Sequence, residues 1–200
     1  MRDIHNSAHV HREAHLADTC QIGQAAWVYE GATLGEDAGV GRGTRVGVGA
    51  YIGDSTRIGA DCVIGRRALV AAGIRIEDGV HIGAQAILRN DQGHRAVSSG
   101  GPDRATFRAQ HPLLVVRQGA TVGPGAIIDQ GLTIGRHALI TAGSVVTRDV
   151  PDYALMTGNP AQIMGRVCPA GHRMGREGLH TWYCDVCEET FEAERQKGGE

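Results

Sequence analysis

The stretch Val40-Gly-Arg-Gly-Thr-Arg-Val46-Gly-Val-Gly-Ala-Tyr-Ile52-Gly-Asp-Ser-Thr-Arg-Ile58-Gly-Ala-Asp-Cys-Val-Ile64 returns to a branched aliphatic residue every six positions. The same spacing extends outward on both sides, through Ile4, Val10, Leu16, Ile22, Val28 and Leu34 before it and Val70, Ile76, Ile82 and Leu88 after it. A second array in a shifted frame runs Val116, Val122, Ile128, Ile134, Ile140, Val146. A helix repeats every 3.6 residues and a strand alternates every two, so neither keeps a period of six all the way from Ile4 to Leu88. A long fixed period of this kind marks a solenoid.

Each unit reads aliphatic, often Gly, two variable residues, a small residue and one more variable residue. The small slot holds Ala8, Ala14, Cys20, Ala26, Ala32, Ala38, Thr44, Ala50, Thr56, Cys62, Ala68 and Ala86, with Ile74 and Val80 as exceptions. This order predicts a short strand followed by a corner. The aliphatic residue fills the interior, the small one fits where the corner narrows, and Gly allows close backbone approach or a positive φ. Three units make one triangular coil, so Val40, Ile58 and Ile76, each three units from the next, are expected to stack in one column. Successive coils would then bond as parallel strands about 4.8 Å apart. A narrow aliphatic interior has little room for rings, in keeping with an aromatic content of 4%. Cys20 and Cys62 fall in the small interior slots and are expected in the core.

The pattern resembles the hexapeptide-repeat acyltransferases. The resemblance implies an all-β fold, a left-handed parallel β-helix. The hand comes from the resemblance alone, since parallel crossovers in general favour the right hand.

Composition bounds the rest. A net charge of −2 from 20 basic and 22 acidic residues argues against general nucleic-acid binding. No apolar run approaches the length of a membrane span, and the opening Met1-Arg-Asp-Ile lacks a signal peptide's apolar stretch. Five cysteines do not suggest a secreted disulfide framework. These readings together point to a cytoplasmic protein. Residues 1–166 are expected to form the β-helix and residues 167–200 a small appended tail.

The two arrays are broken between Leu88 and Val116, and the polar, Gly-, Ser- and Arg-rich segment there predicts a loop over about residues 89–115. A long loop in a compact domain is usually functional or disordered, and resumption of the repeat after it favours function. Its start, Arg89-Asn-Asp-Gln-Gly-His-Arg95, resembles the Thr-Asn-Asp and Tyr-Pro-Arg segments of the UDP-2-acetamido-3-amino-sugar N-acetyltransferases. Asn90, Asp91 and Arg95 match. Arg89 replaces the Thr, and Gly93-His94 replaces Tyr-Pro. The segment from Gly143 to Ala161, with Val145-Val-Thr-Arg-Asp-Val-Pro151 and Gly158-Asn-Pro-Ala161, resembles the end of that family's β-helix and its coenzyme A site.

The resemblance implies acyl transfer from acyl-CoA, acetyl-CoA above all, to the amine of a nucleotide-linked sugar, in a homotrimer with sites between subunits. A thioester is already activated, so positioning and oxyanion stabilisation are the main tasks. An amine attacks as it stands, whereas a hydroxyl generally needs a base. By resemblance Asn90 and Asp91 carry a sugar-binding role, Asn90 bonding the nucleophile or the acyl oxygen and Asp91 holding the amine or orienting a His. His94 and His111 are the candidate bases of the alternative, an O-acetyltransferase. Arg89 and Arg95 are candidates for substrate binding. By resemblance Thr141-Ala142-Gly143, Asn159 and Pro160 line the coenzyme arm, and Arg148 and Arg166 contact its phosphates. Gln162 stands where the family often carries Arg. Two further readings are a γ-class carbonic anhydrase, whose histidine spacing this chain lacks, and a non-catalytic scaffold. His5, His9, His11 and His15 crowd the first coil and read as surface polar residues rather than a metal site. His81 and His137 read as outward corner residues.

After Arg166 the repeat ends. Cys168-Pro-Ala-Gly-His172 and Cys184-Asp-Val-Cys187 read as a zinc ribbon, since Zn²⁺ takes four N or S ligands. Ala170 stands where a second cysteine of the first pair would be, which leaves His172 as the fourth ligand, with His180 as the alternative. The charged stretch from Glu188 is expected to fray.

Overall fold

The computed structural model describes residues 2–90 and 114–192. Among them the hexads form two-residue strands joined by tight corners, with no helix. Every third strand pairs in parallel, giving three faces of seven coil strands each. The first face runs Asp3–Ile4, Gln21–Ile22, Gly39–Val40, Arg57–Ile58, Arg75–Ile76, Val115–Val116 and Thr133–Ile134. The second face begins at His9–Val10 and the third at His15–Leu16. The expected column is present: Ile58 pairs with Val40 on one side and Ile76 on the other.

Within each strand the second residue points inward and the first outward. Ile52, Val70, Ile82 and Leu88 are fully buried, as are the small corner residues Cys20, Ala26 and Cys62. Thr44 and Thr56 are buried too, and their hydroxyls are satisfied by the carbonyls of Gly59 and Ala71 in the next coil. That satisfaction removes the desolvation cost of an unpaired buried hydroxyl.

From Asn90 to Leu114 the frame of the coil is kept without slipping. Ile58 pairs with Ile76 three hexads on, and Ile76 pairs in the same register with Val116, which lies much further along the chain. Leu88 likewise pairs with Ile128. The interior column is therefore uninterrupted between the two arrays.

The two expected uses of glycine fall at different places. The Gly after the aliphatic residue serves close approach: a Cβ on Gly53 would lie 2.5 Å from the Ala72 amide nitrogen in the next coil. Positive φ is required two residues further on, at positions the sequence shows as variable. Gly79 (φ 67°) occupies such a place, and so do the non-glycines Ser55 (φ 56°), Arg67 (φ 53°) and Gln85 (φ 59°). Gly53→Ala should accordingly cost about 3 kcal/mol, the upper end for overpacking. Gly79→Ala, with open space around its Cβ, should cost about 1 kcal/mol for the left-handed backbone alone. Denaturant unfolding of the two variants checks the difference, and equal losses would refute the division of roles.

The last coil gives way to a hairpin, Ala154–Gly158 and Ala161–Val167, whose first strand pairs in parallel with Leu139–Ile140. The tail strands Arg173–Arg176, Thr181–Cys184 and Glu189–Glu192 continue antiparallel from that hairpin. The stretch expected to fray thus begins with a paired strand, because Trp182 and Phe191 are register partners that hold it. Cys168, Met174 and Cys184 make a second small core.

Candidate functional site

Asn90 lies at the corner between the third and first faces, one coil beyond Ala72. Its Nδ2 donates to the Ala72 carbonyl, which orients the half-buried amide. The side chain keeps a second N–H and its Oδ1 for other partners. Arg89, expected at the substrate, pairs through Nη1 with Asp129 Oδ1 at 3.3 Å, one coil on. Asp91, His94, Arg95 and His111 lie outside the described residues.

The coenzyme segment forms a corner of its own. Thr141 Oγ1 lies 2.9 Å from Ser144 Oγ and donates to Thr157 Oγ1 at 2.7 Å. The Gly158 N–H donates to Ser144 Oγ at 3.2 Å. These hydroxyls tie the Thr141-Ala142-Gly143 turn to the Gly158-Asn159-Pro160 turn, where the Asn159–Pro160 peptide is cis. Ala142, Gly143, Asn159 and Pro160 are all exposed along this edge. Ser144 and Thr157 carry no motif of their own in the sequence. Their only signal is their spacing from Thr141, which becomes meaningful once the hairpin is known.

The two arginines assigned to coenzyme phosphates are in different situations. Arg148 is exposed and its Nη2 donates to Gln162 Oε1. Arg166 is half-buried: Nη1 donates to the Asp152 carbonyl and its guanidinium lies 5.5 Å from the centre of the Trp182 ring. Burial lowers its pKa, partly offset by Asp152. Arg166 therefore docks the tail onto the last coil. The phosphate contact expected of Arg166 would draw on the guanidinium N–H groups that the Asp152 carbonyl does not use.

A ring stack strengthens the same junction. His137 lies over Gly119, stacks on Tyr153 at 5.5 Å, and Tyr153 meets Phe191 at 5.7 Å. His137 is thus more than the plain surface corner expected of it. Burial lowers its pKa against the opposing pull of Asp152. The folded ring resists protonation while the unfolded one accepts it near about pH 6.5. This contribution to stability is complete above that value and is lost as the pH falls through the lowered folded value. The fall in melting temperature between about pH 7.5 and 5 should therefore be shallower in His137→Asn. An unchanged slope would exclude His137 as its source.

The tail cysteines converge. Cys168, His172, Cys184 and Cys187 each place one ligand atom within 4.8 Å of the others. Cys168 Sγ is 3.7 Å from Cys187 Sγ and 3.5 Å from His172 Nδ1. His172 Nδ1 is 3.4 Å from Cys187 Sγ and 3.9 Å from Cys184 Sγ. A tetrahedral Zn²⁺ with ordinary bond lengths requires about 3.8 Å between sulfurs and about 3.6 Å from sulfur to nitrogen. The donor set fits zinc, and it takes His172, not His180. The Cys187 N–H also donates to Cys184 Sγ at 3.4 Å. Burial opposes ionisation of Cys184, but that bond, a second from the Val186 N–H and the neighbouring thiols lower its pKa overall. His5, His9, His11 and His15 form no such cluster among the described residues.

Two stretches match known repeat families. Residues 55–90 match the bacterial transferase hexapeptide (six repeats), and residues 116–148 match the hexapeptide repeat of succinyl-transferase. The chain is 43% identical over 54 residues to the dTDP-3-amino-3,6-dideoxy-alpha-D-galactopyranose 3-N-acetyltransferase of Aneurinibacillus thermoaerophilus. That stretch is 27% of this chain and 28% of the relative. The acetyltransferase domain of PglB from Neisseria gonorrhoeae superposes with a TM-score of 0.50 at 20% identity, covering 78% of this chain and 57% of that one. The fold is the left-handed parallel β-helix of hexapeptide-repeat transferases.

Proposed function

We propose that this hexapeptide-repeat β-helix transfers an acyl group, acetyl above all, from acyl-CoA to the amine of a nucleotide-linked amino sugar. The observation that carries the reading is the conjunction of two corners. One is Asn90, anchored on Ala72 where the loop leaves the coil. The other is the hydroxyl-tied edge of Thr141-Ala142-Gly143 and Asn159-Pro160. The local likeness to a dTDP-amino-sugar N-acetyltransferase supports the same acceptor class.

The chemistry asks little of the chain. The neutral amine attacks the thioester carbonyl, the C–S bond breaks, the coenzyme leaves as its thiol and the amine's proton is lost. Asn90 orients the amine through Oδ1 or stabilises the oxyanion through its second N–H. Asp91 takes up the released proton and passes it to the departing coenzyme sulfur, and Arg95 holds the sugar. Arg148 binds a coenzyme phosphate. O-acylation, with His94 or His111 as base, is the second reading.

The acting form is a homotrimer with sites between subunits. Support comes from the third face, where Tyr51, Leu69 and Ile87 stand one above another, each more than a third exposed. Such an apolar stripe suits subunit contact. No helix among the described residues is long and apolar enough to cross a membrane; we place the enzyme in the cytoplasm. The tail holds one structural Zn²⁺ on Cys168, His172, Cys184 and Cys187.

The test is release of free thiol from acetyl-CoA in the presence of UDP- and dTDP-linked amino sugars, with the matching hydroxyl sugars in a second pool. Release with the amino pool alone is expected. Release with the hydroxyl pool alone would replace N-acylation by O-acylation, and silence from both would overturn the reading.

A further inference from the structure

We infer that the groove on the first face, centred on Arg57 and Arg75, holds the diphosphate of the sugar nucleotide; the inference rests on the nucleotide-sugar reading above. A cavity of about 600 Å³ opens there, lined by Ser55, Arg57, Gly73, Arg75, Glu77 and Gln118 among others. That volume lies within the ordinary range for small-molecule sites.

The two arginines are register partners on adjacent parallel strands, and both side chains point outward and are exposed. Like charges directly opposite on a sheet repel. A diphosphate spanning the pair relieves that repulsion, and guanidinium forks match phosphate oxygens in geometry. Arg57 is held ready for this. It lies across Gly39, where a Cβ would come within 3.1 Å of its Cδ, and its Nη1 donates to the Asp37 carbonyl.

The groove's carboxylates keep their charge but sit to one side of the arginine pair, each accepting a backbone N–H. Asp78 Oδ1 accepts the Ala60 N–H at 2.7 Å, and Glu77 Oε2 accepts the Gln118 N–H at 3.0 Å. Both acids stand at the far corner, between the first and second faces. The near corner, at Ser55 and Gly73, is the one where Asn90 bonds to Ala72. The groove is thus graded across the face. The amine-bearing sugar lies at the Asn90 corner, the diphosphate over the arginines, and the nucleoside at Glu77 and Gln118, whose polar atoms suit ribose hydroxyls and a base. At a strand's rise per residue the five steps from Gly73 to Asp78 span at most roughly 16 Å, since only Arg75–Ile76 is strand; a sugar joined to a nucleoside diphosphate would use that whole width.

Coenzyme A also carries a nucleoside diphosphate, so the experiment must separate the two sources. Binding of dTDP, UDP and acetyl-CoA to the full chain is measured by calorimetry for wild type, Arg57→Ala, Arg75→Ala and the double variant. Arg45→Ala, an exposed arginine on the second face, is the control. Each of the changed residues is exposed, and melting temperatures check that each variant folds. The expected result is at least tenfold weaker binding of dTDP or UDP in each single variant, loss in the double variant, and unchanged acetyl-CoA binding. Arg45→Ala should bind as wild type does. Wild-type affinity for the nucleotides in the Arg57 and Arg75 variants would overturn the inference while leaving the nucleotide-sugar reading intact. Weakening of acetyl-CoA alone would assign the groove to the coenzyme and overturn it as well. If wild type binds acetyl-CoA but neither nucleotide, the inference falls together with the reading it rests on.

Discussion

Asn90→Ala should lower kcat for acyl transfer about a hundredfold to a thousandfold, the usual effect of removing one preorganised donor from an oxyanion site. The expectation rests on how the amide is held. One N–H is committed to the Ala72 carbonyl, so the remaining N–H and Oδ1 are presented in a fixed direction without a reorganisation cost during the reaction. Losing that internal bond should cost the fold only about 1 kcal/mol, because the stacked aliphatic column beneath it is untouched. The discriminating measurement is therefore kcat and KM alongside the melting temperature. A fall in kcat with a nearly unchanged melting temperature is the expected pattern. A change confined to KM would make Asn90 a ground-state binding residue. No kinetic change at all would remove this corner from the active site.

Chelation of the proposed zinc, or Cys184→Ser, should unfold the tail while the β-helix survives. Structural zinc contributes on the order of 10 kcal/mol in small cysteine–histidine modules at neutral pH. The tail's own core, Cys168, Met174 and Cys184 with a few flanking rings, is too small to replace it. Without the metal, neighbouring thiols compete for protons: the Cys187 thiol is pushed up to about 12, chiefly by its contact with Cys184. The β-helix core is a separate cluster and should not respond. The checks are one zinc per chain by metal analysis, and chelator-induced loss of Trp182 fluorescence in a Trp27→Phe background. Protease cleavage should then appear between Cys168 and Glu192 but not in the coils. Absence of zinc, or fluorescence indifferent to the chelator, would refute the assignment.

What could be read from the chain follows from periodicity. A residue's face depends only on its place within the three-hexad coil, so the Val40–Ile58–Ile76 column and the interior slots of Cys20 and Cys62 were legible directly. The same arithmetic makes Arg57 and Arg75 neighbours, yet outward positions carry no pattern that would mark the pair as a site. The convergence of Cys168, His172, Cys184 and Cys187 was legible as a set, since metal geometry restricts residue types and spacing. Choosing His172 over His180 needed the backbone. The roles of Arg166, His137 and Tyr153 were not legible, because they depend on an antiparallel return that breaks the period. Positive φ at Ser55, Arg67 and Gln85 was hidden for a related reason: the coil imposes that backbone through its neighbours and tolerates side chains that would not choose it alone.

The unbroken register across the excursion after Asn90 makes this molecule a ruler graduated in whole turns. Length can be added at a corner in any amount, but along the shaft it changes only in steps of three complete hexads. Excising a full turn from the shaft, such as residues 5–22, should leave a shorter protein with every remaining side chain on its original face. Removing only two of those three hexads would rotate all that precedes the cut by a third of a revolution. Because Asn90, the arginine pair with the Asp37 and Gly39 backbone that seats Arg57, and the hydroxyl-tied edge all lie on the C-terminal side of residue 36, the earlier turns set how far the shaft reaches without moving those parts relative to one another.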